Sequence, residues 1–312
     1  MGYKLAGYRV LGGVEIDPHM MELYRANHRP EHSYLMGVQE FKGIAGDLPQ
    51  GLRDIDVLDG SPPCSSFSMA GSREDAWGDA KRFREGQVKQ VLDDLFFHFI
   101  DIAERMRPKA VIAENVKGLI IGKARGYVKE IFEAFRRAGY DCQLFLLNSS
   151  RMGVPQSRER TFFVARRTDL ALPRIELPFA ERPISVREAW LGLPMDGLEI
   201  TAQQAHWWHR VGPGQAFSKG HPKGHWFTAI KLHPDRPAPT LCASDGNAGF
   251  YLWDKPRRTD SRMLIRAQSF PEDYAFLGVK PQYLLGMSVP PFMMQRVADQ
   301  VLRQWLLPLR VR

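Results

Sequence analysis

The stretch best suited to covalent chemistry is Gly60-Ser61-Pro62-Pro63-Cys64-Ser65-Ser66-Phe67-Ser68. Two prolines fix the backbone immediately before the cysteine, so the Cys64 thiol is held in one direction, as a nucleophile requires. A free cysteine is otherwise most often a buried small hydrophobe; the loop setting argues against that fate here. A carboxylate follows the same pattern further on, where the apolar residues 110–113 end in Glu114-Asn115. That pair reads either as a strand-terminal turn or as an acid presented to a ligand. Glu15 closes another apolar run, 8–16. A strand-terminal acid is how dinucleotide-type folds hold ribose hydroxyls, although acids at strand ends are common. Asp47, after the small residues 43–46, suits either an adenine-amine acceptor or a turn cap.

The elements needed to position these groups can be read from periodicity and punctuation. Residues 8–16 and 55–58 read as strands, and Asp17-Pro18 opens a helix to Asn27 with an N-cap acid and a first-turn proline. The Cys64 loop runs on to about Asp79 through Gly71 and Gly78, a length and composition that predict a mobile segment closing over substrate. Val91, Leu95, Phe99, Ile102 and Met106 fall at helical spacing within 89–107, and Pro108 ends that helix. A short strand at 110–113, a helix at 124–138, a strand at 142–147, a polar turn at 151–160 and a strand at 161–165 follow. A last helix is expected over 291–306, with Phe292, Val297, Val301 and Trp305 inward. Alternating strand and helix predict an α/β fold with a doubly wound, mostly parallel sheet. Ligands of such sheets bind outside the carboxyl ends of the strands, where Cys64 and Glu114 both fall.

Composition narrows the classes. The chain has 312 residues, 44% hydrophobic, which is enough for a real core. Cys64, Cys142 and Cys242 are far apart, with no CxxC pair, so neither a disulfide framework nor a structural zinc site is suggested and a cytoplasmic setting fits. No apolar run reaches membrane length and no signal peptide is evident, so no membrane partner is expected. The net charge of +8 permits a polyanionic partner. Between Gln203 and Arg262 there are nine Lys/Arg against four Asp/Glu, five of the nine histidines and four of the seven tryptophans. Basic residues among aromatics suit a nucleic-acid surface; the same tryptophans suit the core of an irregular small domain, and both uses are expected. The histidine pairs 206/209 and 221/225 lack a matching Cys or carboxylate cluster, so no metal is expected. Boundaries are drawn at 1–170 for a catalytic and cofactor domain, 171–262 for a target-recognition region, and 263–312 for a return to the catalytic domain.

Taken in order, Glu15-Ile16-Asp17, Gly46-Asp47, Pro62-Pro63-Cys64 through Ser68, Glu114-Asn115-Val116, Gln156-Ser157-Arg158-Glu159-Arg160 and Gly286-Met287-Ser288-Val289 resemble the motifs of the DNA cytosine-5 methyltransferases. Arg236-Pro237-Ala238-Pro239-Thr240-Leu241 resembles the entry to that family's late region. The resemblance covers nearly the whole chain except about 190–235, and the ordered set is far more specific than any one motif. It implies a class I S-adenosylmethionine-dependent methyltransferase fold with a smaller irregular target-recognition domain. It implies methyl transfer to carbon 5 of a flipped cytosine in double-stranded DNA, with S-adenosylhomocysteine as the spent cofactor. Cys64 matches the nucleophile adding at carbon 6, and Glu114 the carboxyl facing N3 and the exocyclic amine, for which burial that raises its pKa is expected. Arg160 matches the arginine near the base carbonyl, Arg158 one that orders the mobile loop, and Asn115 a residue positioning the Pro63-Cys64 backbone. Glu15 matches the ribose ligand, Asp47 the adenine acceptor and Ile16 an adenine-face contact, with Pro63, Leu95 and Ser288 near the cofactor. A cognate restriction enzyme is a possible partner.

The sequence departs from the pattern at its start. Residues 1–7 resemble the helix that follows the family's first strand and its FxGxGG loop, and neither strand nor loop is seen. Exposed sheet edges are expected as a result, and a monomer unless another chain supplies the piece. Met287 stands where Asn is usual, and Ser65 where Gln often follows the cysteine. Two alternatives follow: a DNA-binding protein of this fold with weak or no catalysis, and the transfer-RNA-directed relatives, whose Cys-Phe-Thr segment is not seen.

Overall fold

The computed structural model describes residues 1–62, 94–121, 125–243 and 248–310. Pro63 and Cys64, with the rest of the Cys64 loop and Val91, lie outside the described residues. The described chain forms two compact units, one of residues 8–147, 159–177 and 298–312 and the other of residues 1–7, 148–158 and 178–297.

The first unit is the doubly wound α/β unit. Strands β1 (Gly12–Glu15) and β2 (His32–Leu35) pair in parallel, linked by α2 (Pro18–His28). Asp17 caps α2 as its sequence predicts, its Oδ1 accepting from the His19 and Met20 amides at 2.7 and 3.1 Å. Helix α3 (Val38–Ile44) follows; neither β2 nor α3 was expected from the sequence. A second sheet carries the order β3-β4-β6-β5, from β3 (Val57–Gly60), β4 (Ala110–Val116), β5 (Tyr140–Asn148) and β6 (Glu159–Arg167). β3 and β4 are parallel, whereas β4 and β6 are antiparallel.

Strand alternation decides what each residue faces. Val111 and Ala113 of β4 sit opposite Ala165 and Phe163 of β6, and all four join one core with α4 (Leu95–Met106) and α5 (Arg125–Arg137). Ala110, Ile112, Phe162 and Val164 alternate with them and are equally buried. A smaller cluster gathers Phe41, Ala45, Leu48, Ile102 and Met106, and both Val14 of β1 and Leu58 of β3 pack on it. β1 and β3 thus share a core, yet among the described residues no ladder joins them.

The other unit is less regular. One of its cores holds Trp190, Phe250 and Leu252 against α8 (Ser261–Ala267) and Leu285 of α9 (Pro281–Met287); the Trp190 and Trp253 rings stack at 5.8 Å. A second cluster holds Trp208, Phe217 and Tyr251 beside the two-stranded β7 (Ala229–Lys231) and β8 (Gly249–Tyr251). Residues 1–7 belong to this unit: the α1 helix (Gly2–Leu5) lies so close to α10 (Pro291–Val301) that a Cβ on Gly2 would meet the Met294 Cβ at 2.5 Å. The return of the chain also differs from the expected 263–312. Residues 263–297 stay in the smaller unit because Met263, Leu264, Ile265 and Leu285 build its core, and only 298–312 join the sheet unit. Phe292 is not inward: the buried stripe is Met293, Val297, Val301 and Trp305, at four-residue spacing, and Phe292 lies beside it, 38% exposed.

Candidate active site

Two of the expected groups are brought together by strand register. Glu114 lies opposite Phe162 and Arg160 lies opposite Val116 in the antiparallel β4–β6 pair. They are diagonal neighbours on one face, within reach of long side chains. Arg160 Nε sits 2.9 Å from Glu114 Oε1, and both side chains are largely buried. A one-residue slip of either strand would send one of them to the opposite face. The buried Val111, Ala113, Phe163 and Ala165, packed in the main core, and the seven-pair ladder hold that register. The carboxyl is therefore met by a guanidinium, not left alone in an apolar pocket. A second interaction, Arg160 Nη1 donating to the Glu159 carbonyl at 2.8 Å, fixes the guanidinium plane.

Asn115 points the other way and ties down the chain that leads to the cysteine. Its Nδ2 donates to the Pro62 carbonyl at 3.0 Å, and its Oδ1 accepts from the Val116 amide at 2.8 Å. The Thr161 hydroxyl donates to the Asn115 carbonyl at 3.0 Å, a contribution not seen in the sequence. The bond anchors the backbone two residues before Cys64. The other two cysteines offer no comparable nucleophile. Cys142 is buried in β5, and burial pushes its thiol pKa well up. Cys242 is half-buried, its thiol directed toward the Thr240 carbonyl.

Arg158 belongs to the other unit. Its side chain is fully buried, with Nη1 donating to Leu241 O at 3.1 Å and Nη2 to Gly286 O at 2.8 Å. Backbone bonds close the same seam: the Ser157 amide donates to Ala238 O at 2.7 Å and the Ala238 amide to Pro155 O at 2.9 Å. Three motifs far apart in sequence thus converge on one guanidinium. Gly286 is required there, because a Cβ would lie 2.5 Å from the Ala243 amide nitrogen. Ser288 is in this unit too, its hydroxyl donating to Leu284 O at 2.7 Å.

Also in the sheet unit, Glu15 ends β1. Its Oε1 accepts from the Ile16 and Asp17 amides at 2.8 and 3.0 Å, which fixes the carboxylate over the strand end. Asp47 is exposed after α3, and its side chain accepts no hydrogen bond among the described residues, so it caps no turn. α3 packs against both β1 and α4, whose first residue, Leu95, is buried. Among the described residues no three His, Cys, Asp or Glu gather to hold a metal ion. No helix among them is long and apolar enough to cross a membrane.

Residues 1–191 match the family described as C-5 cytosine-specific DNA methylase. Type II methyltransferase M.FnuDI of Fusobacterium nucleatum is 33% identical across 96% of this chain and 90% of its own. Type II methyltransferase M1.HphI of Haemophilus parahaemolyticus is 29% identical across 97% of this chain and 83% of its own. Among solved structures, a prophage-encoded DNA modification methyltransferase from E. coli superposes with a TM-score of 0.72 at 20% identity, over 97% of this chain and 94% of that one. Spodoptera frugiperda DNMT2 superposes at 0.61 and 18% identity, over 96% and 95%. These last two speak to the fold alone.

Proposed function

The chain belongs to the C-5 cytosine-specific DNA methylase family, and we propose that it moves a methyl group from S-adenosylmethionine to carbon 5 of a cytosine turned out of duplex DNA, using Cys64. The observation that carries this reading is the Glu114–Arg160 pair on the strand adjoining the anchored approach to Cys64. Cytosine carbon 5 is a poor nucleophile. Addition of the Cys64 thiolate at carbon 6 makes it enamine-like. The negative charge that addition puts on the ring is relieved at N3, where Glu114, in its protonated form, supplies the proton or hydrogen bond and Arg160 holds Glu114 in place. Asn115, through the Pro62 carbonyl, fixes the direction from which the thiol approaches. Once carbon 5 carries the methyl group, a base such as water takes its proton and the ring electrons expel the thiolate. None of these atoms is reachable in a stacked duplex, so the base must leave the helix.

S-adenosylmethionine, when bound, supplies an electrophilic methyl group. Glu15 suits the ribose hydroxyls because its carboxylate is already fixed by two amides, and Asp47 suits the adenine amine because its carboxylate is exposed and unengaged. Ile16, Pro63, Leu95 and Ser288 complete the cofactor set, and Arg158 holds the seam of the second unit.

Labelled S-adenosylmethionine offered with duplex DNA, and separately with transfer RNA, tests the reading. Transfer to DNA alone is expected, and Cys64→Ser should abolish it; transfer to RNA alone, or full activity of the variant, overturns it. Bisulfite sequencing of a host expressing the chain reads out the site, and whether a restriction enzyme shares it. One observation favours a second reading, DNA binding without catalysis: among the described residues, β1 and β3, which flank the proposed cofactor side, share no ladder. Duplex binding without cofactor binding in calorimetry would establish it.

A further inference from the structure

Residues 203–236 contain five Lys/Arg, five histidines and three tryptophans but a single acid, Asp235, which is paired with Arg187 at 2.9 Å. The loop of residues 221–228 is the part of this segment where backbone strain and exposure coincide. Trp226 adopts φ +69°, in the left-handed region, which a bulky side chain rarely enters. Gly224, two residues earlier, is at φ +65°. The consequence is a sharp division of two adjacent aromatics. Trp226 turns inward and stacks on the buried Phe217 at 6.2 Å, with the rings 20° apart. Phe227 is held outward at 63% exposure, the most exposed aromatic among the described residues. Hydrophobic burial alone would not leave a phenyl ring there.

The surroundings are cationic and flat. Lys223 and His225 are exposed on the same loop. His221 lies 5.1 Å from His225 and 4.6 Å from Trp207, and Arg210 sits over Trp207 at 5.7 Å while bonding His206 at 2.9 Å. An exposed ring amid lysine, arginine and histidine, without a free carboxylate in the segment, complements a polyanion that also offers flat apolar faces. A nucleic acid does both. We infer that Phe227 seats against the bases of the DNA, as a wedge or stacking partner, while Lys223 and Arg210 contact its phosphates. This rests on the DNA reading above and adds to it a named residue whose contact is with bases.

Salt dependence separates the two kinds of contact, because only phosphate contacts release counterions. Binding of the full chain to a duplex carrying its methylation site would be measured across salt concentrations for wild type, Phe227→Ala, Phe227→Trp and Lys223→Ala. Phe227→Ala should bind about tenfold more weakly with an unchanged slope of log affinity against log salt. Phe227→Trp should restore most of the affinity. Lys223→Ala should flatten the slope by about one. Unchanged cofactor binding and thermal melting confirm that the variants are folded, as the exposure of both side chains leads one to expect. Wild-type affinity in Phe227→Ala, or a flattened slope in that variant, overturns the inference while leaving the DNA reading intact if the wild type methylates the duplex. Failure of the wild type to bind any duplex removes both.

Discussion

The two ends of the sheet unit are built to different standards. On the side proposed to meet the base, β4 is paired along both edges, to β3 and β6, and its residues from Ala110 to Asn115 are buried. On the side proposed to meet the cofactor, β1 is four residues long, is half-buried throughout and has one paired edge among the described residues. On the proposed reading, the difference follows from what each end must hold. An ion pair that acts on a developing charge needs its geometry set in advance, and a seven-pair ladder with a packed core does that. Glu15 has local support, its carboxylate accepting from the next two amides.

The harshest test of the comparison is Arg160→Ala. It leaves Glu114 as a largely buried carboxylate without its guanidinium, and breaking such a pair costs about 3–5 kcal/mol of stability. The melting temperature should fall and methyl transfer should drop by more than about a hundredfold, beyond what unfolding explains at low temperature. Glu15→Gln should leave melting almost untouched. If the two variants destabilise equally, the base side is no more rigidly built than the cofactor side.

Asn115→Ala should act next most strongly. It removes a buried donor from the Pro62 carbonyl, leaving the acceptor unmatched, at about 1–3 kcal/mol. The informative readout is the split of its kinetic effect: kcat should fall while cofactor affinity stays, because the bond holds Pro62, two residues before the proposed nucleophile, and is not made to Glu15. A variant that weakens S-adenosylmethionine binding instead would show that the two ends are coupled through β3.

How much of this was legible beforehand depends on the kind of fact. The Cys64 loop, the acid of the 110–116 segment and the N-cap at Asp17 are local patterns; Asp17 caps its helix where the pattern puts it, whereas β4 runs on past the expected end at 113, so Glu114 lies within the ladder. Arg158 and Arg160 look alike in sequence, two residues apart in one motif, yet they serve different units. Arg160 reaches across the ladder to Glu114, and Arg158 ties Leu241 to Gly286. Only pairing register and the convergence of distant segments distinguish them, and neither is a local property. β2 was invisible because His32-Ser33-Tyr34-Leu35 has neither β-branched residues nor a clean alternation, and its strand exists through its pairing with β1. Lys231 is the clearest surprise: it reads as a surface cation of the basic region but lies buried, its ammonium 3.4 Å from the centre of the Trp208 ring.

Smallest in stability, and sharpest in what it discriminates, is Glu15→Gln followed by hydrogen exchange. Without cofactor, the amides of β1 and β2 should exchange through local opening well before those of β4 and β6, since short strands with an open edge sit at the low end of local stability. Saturating S-adenosylmethionine should slow β1 exchange and leave β4 and β6 as they were, because a ligand stabilises the conformation it binds. In Glu15→Gln the same protection should require about tenfold more cofactor, a loss of about 1.4 kcal/mol in binding, with no change in the unliganded pattern. If cofactor protects β4 and β6 as much as β1, the sheet opens as one body and the contrast between its two ends is one of chemistry alone. If it protects neither and no binding is detected, the unpaired edges of β1 and β3 have cost the chain its cofactor site, and catalysis by Cys64 has no methyl group to move.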